Sequence, residues 1–161
     1  MRQDHLPATG SVEVVRPMKA ARLVEAIAED TENPAVPTER LLIVLDIDDF
    51  KSVNDRDGHA AGDTVLIQLT RRWTRQLPPS ALLGRLGGDE FVAVVAGYDL
   101  DRARTLAGTL SGDGPVHVST GVAVGRGYEP GSFAALVTEA DRDLYRQKSD
   151  RIDIDRLCGF I

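Results

Sequence analysis

Arg85-Leu86-Gly87-Gly88-Asp89-Glu90-Phe91 sets two adjacent acids on a two-glycine turn between two apolar runs. The flanks Ala81-Leu82-Leu83 and Phe91-Val92-Ala93-Val94-Val95 read as strands. Gly-Gly is a favoured start to a tight hairpin because glycine accepts positive φ. Such a turn holds Asp89 and Glu90 at the rim of a sheet. A second acidic edge lies upstream, where Leu41-Leu42-Ile43-Val44-Leu45 runs into Asp46-Ile47-Asp48-Asp49-Phe50-Lys51. If the two strands are neighbours, Asp46 and Asp89 can face a common cation.

Working outward, Pro17 to Ala28 reads as a helix, with Met18, Ala21, Val24 and Ile27 at three- and four-residue spacing. Thr31 to Pro37 is a loop. Phe50 to Asp55 forms a short helix, Asp57-Gly58 a turn, and a longer helix runs from Gly62 to about Leu77, burying Val65, Leu66, Leu69, Trp73 and Leu77. Arg102 to Leu110 is helical through Ala103, Leu106 and Leu110. Val116 to Val124 is a further strand. The last helix spans Ser132 to Lys148, with Phe133, Leu136, Val137, Ala140 and Leu144 on one face, and residues 152–161 form a tail. This order predicts an α/β (α+β) fold: a mixed, largely antiparallel sheet covered by helices, the hairpin at the active site.

The 161 residues, 42% hydrophobic, fit one domain with a sizeable core. A net charge of −6 argues against a general nucleic-acid or anionic-membrane binder. The single cysteine, Cys158, excludes an intramolecular disulfide and has no partner pattern for catalysis. No signal peptide or long apolar span is visible, so the cytoplasm is the default compartment.

Two strand-edge carboxylates with a backbone carbonyl, such as that of Ile47, supply the hard oxygen ligands that Mg²⁺ prefers, and magnesium leaves positions for phosphate oxygens. The turn after Asp46 aims the amides of Asp49, Phe50 and Lys51 at an anion, with the Lys51 ammonium close by. A nucleoside triphosphate with its metal suits both halves. The plainer alternative is that Asp48-Asp49 cap a helix and Asp89-Glu90 solvate a hairpin tip.

Taken together, the segments resemble GGDEF domains, the family of diguanylate cyclases that is similar to the palm of nucleotidyl cyclases and polymerases. Arg85 to Phe91 matches the signature. Asp46-Ile47-Asp48-Asp49-Phe50-Lys51-Ser52-Val53-Asn54-Asp55, followed by Gly58-His59-Ala60-Ala61-Gly62-Asp63, resembles the family's upstream run in order and spacing. Val118 to Ala123 is similar to its later strand, and Ala140-Asp141, Leu144-Tyr145 and Lys148 to its last helix. The resemblance covers residues 41–151 and leaves a divergent N-terminal helix and loop over residues 1–40.

The resemblance implies that two GTP molecules are joined into cyclic di-GMP with loss of two pyrophosphates. It implies metal ions, Mg²⁺ or Mn²⁺, on Asp46, the Ile47 carbonyl, Asp89 and Glu90. Asp89 assists deprotonation of the 3′-hydroxyl, with Glu90 as a second acid and Lys51 offsetting phosphoryl charge. Gly87 and Gly88 leave room for the nucleotide. Asn54 and Asp63 match the guanine readers, since a carboxylate accepts from both N1–H and N2–H₂ of guanine and adenine offers no such pair. His59 sits where the family contacts substrate, although a local structural hydrogen bond would serve it equally well. Lys148 reaches the phosphates as a mobile point charge.

The sequence also departs from the family. Asp4-His5-Leu6-Pro7-Ala8-Thr9-Gly10 keeps only fragments of the usual N-terminal D-x-L-T-G-L-x-N-R segment. Lys148-Ser149-Asp150-Arg151-Ile152 lacks the glycine of K-x-x-G-R-N and shifts the arginine, which weakens the case for a phosphate contact by Arg151. Pro78-Pro79-Ser80-Ala81 stands where an R-x-x-D product-inhibition site would be, so no feedback through that site is expected. No sensory or coiled-coil stretch precedes the domain here. Each domain holds one GTP, so turnover requires a face-to-face homodimer whose association is costly for an isolated domain. A sensory or regulatory partner is compatible with this. The competing reading is a weak or inactive GGDEF domain that serves as a GTP-binding or protein-interaction module.

Overall fold

The structure, a computed structural model, describes residues 18–32, 39–112, 114–126 and 132–159. The N-terminal fragment Asp4 to Gly10 and most of the loop before Pro37 lie outside them. The elements in chain order are β1 (Met18–Lys19), α1 (Ala20–Glu32), β2 (Glu39–Ile47), α2 (Phe50–Asp57), α3 (His59–Gln76), β3 (Leu82–Arg85), β4 (Glu90–Ala96), α4 (Leu100–Ser111), β5 (Val118–Arg126) and α5 (Ser132–Cys158). The strands form one sheet in the order β1-β3-β4-β2-β5. Only the β1–β3 pair is parallel. The mixed, largely antiparallel sheet expected from the hairpin and the helices is therefore present.

Strand periodicity decides which face each residue serves, because successive side chains point to opposite sides of a sheet. On β2, Leu41, Ile43, Leu45 and Ile47 join Leu69, Trp73, Ala103, Ala107 and Leu110 in one core beneath α3 and α4. Leu42 and Val44 face the other way and join Leu23, Ile27, Ala140 and Leu144 beneath α1 and α5. Trp73 is fully buried, meets Phe91 edge-on at 5.2 Å between ring centroids, and donates Nε1–H to the Leu110 carbonyl at 3.0 Å. The core assignment of Trp73 and the apolar stripes of α3, α4 and α5 thus holds.

Several boundaries differ from the sequence reading, among them the start of α3, which lies at His59 and not Gly62. Met18 lies in a two-residue strand beside Gly84, too short for any periodicity to announce, and the helix that follows runs on to Glu32. Asp49 precedes α2 in the left-handed conformation (φ 53°) without a capping bond from its side chain, so the acids after β2 are not simple helix caps. α5 continues ten residues beyond Lys148 to Cys158, since no glycine or proline interrupts the chain before Gly159. The supposed tail is mostly helix.

Candidate active site

The two acidic edges do meet. β2 and β4 are antiparallel neighbours with Asp46 directly opposite Glu90, and the Ile47 amide donates to the Asp89 carbonyl at 3.1 Å. Directly opposed residues project from the same face. Asp46 and Glu90 continue the parity of Leu42, Val44, Val92 and Val94, so both point toward α5. The turn is wider than a two-residue hairpin: Leu86 and Gly87 amides both donate to the Glu90 carbonyl, at 2.8 and 3.2 Å. Contrary to the sequence argument, neither of its glycines takes positive φ; among the described glycines Gly58 and Gly97 do so. A Cβ at Gly88 would meet nothing within 4 Å, and one at Gly87 only Glu90 Cβ at 3.9 Å. The fold itself does not demand glycine there, which leaves open space beside the turn. Arg85 ties the loop down by donating to the carbonyls of Gly87 at 3.0 Å and Gly88 at 2.7 Å, over the face of Phe91.

The acids perturb one another. Burial pushes the Asp46 carboxyl up; Lys148 opposes this, and Asp89 and Asp48 add to it. Burial likewise raises Glu90, with Asp141, Asp46 and Asp89 contributing negative charge. Asp141 is itself raised by burial. Asp46, Asp48, Asp89 and Glu90 at the sheet edge, with Asp141 of α5 near Glu90, favour a cation among them.

Lys148 supplies part of that charge, at 3.2 Å from Asp46 and 3.0 Å from Asp48. Its approach is set by Gly121 on β5, where a Cβ would fall 2.0 Å from the Ala140 carbonyl and 2.5 Å from the Leu144 amide of α5. No other residue allows that backbone contact. One turn of helix beyond it stands Lys148. α5 is also fixed by Asp143, which accepts from the edge-facing Val122 amide at 2.9 Å and from Gln147 and Arg104.

The other expected site residues are placed as follows. Phe50 is buried in the core, so its amide and not its ring is available. The first amides of α2, those of Phe50 and Lys51 among them, have no intrahelical acceptor. The Lys51 side chain is 91% exposed and pairs with Asp55 at 3.6 Å, one turn along the same helix. Asn54 and Asp63 lie on the α2–α3 pair; a Cβ at Gly62 would strike Asn54 Oδ1 at 2.0 Å, so glycine lets Asn54 lie against the residue preceding Asp63. Asp63 and His59 are exposed.

Sequence reasoning missed a second cluster around Asp48. Ser119 donates to both its oxygens at 2.9 and 2.8 Å, Lys148 reaches it at 3.0 Å, the His117 ring bonds it, and Arg151 stands 3.5 Å away. Part of the signal was available: Asp46 on β2 and Asp48 just past its end share the parity that faces α5 with Ser119 on β5 and His117 just before it.

Among the described residues no three His, Cys, Asp or Glu side chains form a closed metal cage. Mg²⁺ is ordinarily held by one or two carboxylates with substrate phosphates completing its shell, and a strand-edge acid set of this kind fits that mode. No helix among the described residues is long and apolar enough to cross a membrane.

Residues 21–153 match the family described as diguanylate cyclase, GGDEF domain. Diguanylate cyclase TpbB of Pseudomonas aeruginosa is 38% identical over 141 residues, which are 79% of this chain and 31% of that protein. The chain thus spans less than a third of that relative's length. The GGDEF domain of DgcB from Caulobacter crescentus, solved with c-di-GMP, superimposes with a TM-score of 0.66 at 26% identity, covering 93% of this chain and 94% of that one. Diguanylate cyclase SiaD of Pseudomonas aeruginosa, solved with its activator SiaC, gives 0.69 at 26% identity, covering 82% and 55%.

Proposed function

Since the chain belongs to the GGDEF family of diguanylate cyclases, we propose that it condenses two GTP molecules into cyclic di-GMP, releasing two pyrophosphates. The observation that carries this reading is the pairing of Asp46 with Glu90 across two strands, beside Asp89 and beneath Lys148.

Asp46, the Ile47 carbonyl, Asp89 and Glu90 would hold Mg²⁺ or Mn²⁺, which when bound offsets phosphoryl charge and acidifies the attacking 3′-hydroxyl. Asp89 takes that proton, with Glu90 as the second acid. Lys148 and the amides of Asp49, Phe50 and Lys51 bind the triphosphate. Lys51, exposed in the free chain, swings in from α2. Asn54 and Asp63 read guanine, His59 borders the base site, and the open face of Gly87 and Gly88 admits the nucleotide. Each chain holds one GTP, so the reaction occurs between two chains placed face to face in a transient homodimer. SiaD, solved with its activator, is a precedent for a regulatory partner. The acidic chain, without a membrane-crossing helix among its described residues, supports a cytoplasmic place and no nucleic-acid partner. Pro78 to Ala81 in place of R-x-x-D supports the absence of product inhibition through that site.

One observation favours a second reading, a GTP-binding regulatory module with little turnover: Lys51 is exposed and pairs with Asp55 on its own helix. Incubation at high protein concentration with GTP and Mg²⁺, read by mass spectrometry beside Asp89→Ala, separates the two. Cyclic di-GMP that rises steeply with protein concentration and disappears in the variant establishes the cyclase. GTP binding without product establishes the module.

A further inference from the structure

The end of α5 stands clear of the sheet. Every side chain from Asp150 to Arg156 is exposed, on all sides of the helix, whereas a helix that packs along its own domain hides one stripe. Ile154 is 59% exposed, and it shares a face with Asp150 and Asp153 by three- and four-residue spacing. Neither acid makes an ion pair among the described residues. A surface of the opposite sign lies on α3. Ile67, 42% exposed, is followed at four-residue spacing by the exposed Arg71 and Arg75, so an isoleucine and two guanidiniums line one face. Arg75 Nε donates to the Arg71 carbonyl at 3.1 Å, and neither arginine pairs with an acid among the described residues. Residues 64–88 hold four arginines and no acid, in a chain whose net charge is −6.

The structure assigns these two faces to each other across two copies of the chain: the acidic end of α5 in one copy docks on the Ile67–Arg71–Arg75 face of α3 in the next. Ile154 meets Ile67, and Asp150 and Asp153 meet the two guanidiniums. One chain cannot make this contact, because α3 covers the core around Leu69 and Trp73 on one side of the sheet and α5 covers the core around Leu42 and Ala140 on the other. A basic partner of unrelated sequence would cover α5 and leave α3 bare, whereas a second copy covers both. The two faces differ, so the contact builds either a pair in which it is made twice across a twofold axis or a longer head-to-tail series. It involves none of the acids at the sheet edge and stands apart from the nucleotide reading.

Analytical ultracentrifugation of the full chain over rising concentration, at low salt and without nucleotide or Mg²⁺, tests the contact. The wild type is compared with the double variants Arg71→Glu/Arg75→Glu and Asp150→Arg/Asp153→Arg, all at exposed positions, and with an equal mixture of the two. The wild type is expected to associate with concentration, as a pair or a longer series. Each double variant alone sets like charges against each other and is expected to weaken association at least about tenfold. The mixture sets the new glutamates against the new arginines and the native acids against the native arginines, and is expected to recover the wild-type association. A chain carrying all four substitutions should associate as the wild type does, which keeps the test decisive where one double variant folds poorly. A wild type that sediments as a monomer throughout, charge reversals that leave its association unchanged, or a mixture that stays as weak as its parts overturns the contact.

Discussion

Lys148 holds Asp46 at 3.2 Å across 102 positions of sequence, one turn of α5 beyond the backbone contact at Gly121. Burial opposes the charge on this ammonium, but Asp48 and Asp46 outweigh it and raise its pKa, so it stays cationic at every working pH. Under the proposed function, this fixed cation beside the acids binds the triphosphate. Lys148→Ala should cost about 2 kcal/mol of triphosphate binding, about thirtyfold in KM for GTP, with a smaller change in kcat. Steady-state kinetics check this; an unchanged KM would place the triphosphate elsewhere.

Glu90 shows the opposite balance. Burial and then Asp141, Asp46 and Asp89 raise its pKa, so the folded state binds its proton more tightly than the unfolded state. A carboxyl raised in this way lowers stability as pH climbs from the unfolded value through the folded one. Glu90→Gln should therefore melt higher at pH 7 without metal, by about 2 °C after solvent screening, while product formation falls. Added Mg²⁺ should stabilise the wild type more than the variant. A variant that melts lower without metal would show that the acids are not repelling one another.

Much of this arrangement is legible in the sequence because it is local. The signature over Arg85 to Phe91 and the run from Asp46 to Asp63 fix their own turns and helices, and period-2 alternation puts Asp46 and Glu90 on one face. The Asp48 cluster was not read, because it joins residues 69 to 103 positions apart and needs the β2–β5 register to bring His117 and Ser119 alongside. The end of α5 was misjudged for another reason: family likeness stops near Arg151, whereas a helix stops at a breaker, here Gly159. β1, two residues long, carries no pattern.

Asp143 ties the stability of α5 to pH. Burial pushes its carboxyl up, yet the Val122 amide, Arg104 and Gln147 together outweigh burial and hold it below the usual carboxylate range. Its contribution is present above the unfolded value of about 4 and is lost as pH falls through the lower folded value. Asp143→Asn should destabilise the chain by about 1–3 kcal/mol at pH 7, and the gap to wild type should narrow as pH falls below the unfolded value. Denaturant titrations across that range read it. A gap that does not change with pH would assign Asp143 a packing role without its charge.

Gly121→Ala tests whether α5 can be moved. The added Cβ would meet backbone atoms of Ala140 and Leu144 at 2.0 and 2.5 Å, which no rotamer change relieves. The helix must lift, at a cost of about 3 kcal/mol and about 6–12 °C in melting temperature. GTP affinity should drop with it, because Lys148 leaves Asp46. A variant that melts lower but binds GTP as tightly as wild type would uncouple the Gly121 contact from the placement of Lys148.

Product control is the last expectation. Pro78 and Ala81 stand where R-x-x-D has its arginine and aspartate and cannot offer that guanidinium and carboxylate to a cyclic dinucleotide, and proline lacks even the backbone N–H. Arg85 is already engaged with the carbonyls of Gly87 and Gly88 and with the Phe91 ring, so a ligand would have to draw it off its own loop. Added cyclic di-GMP should therefore leave the rate unchanged up to concentrations that compete at the GTP site itself. Calorimetry with cyclic di-GMP on the GTP-saturated chain reads this directly. Tight binding that substitution at Pro78 or Ser80 abolishes would reveal an inhibitory site built from other residues of this surface.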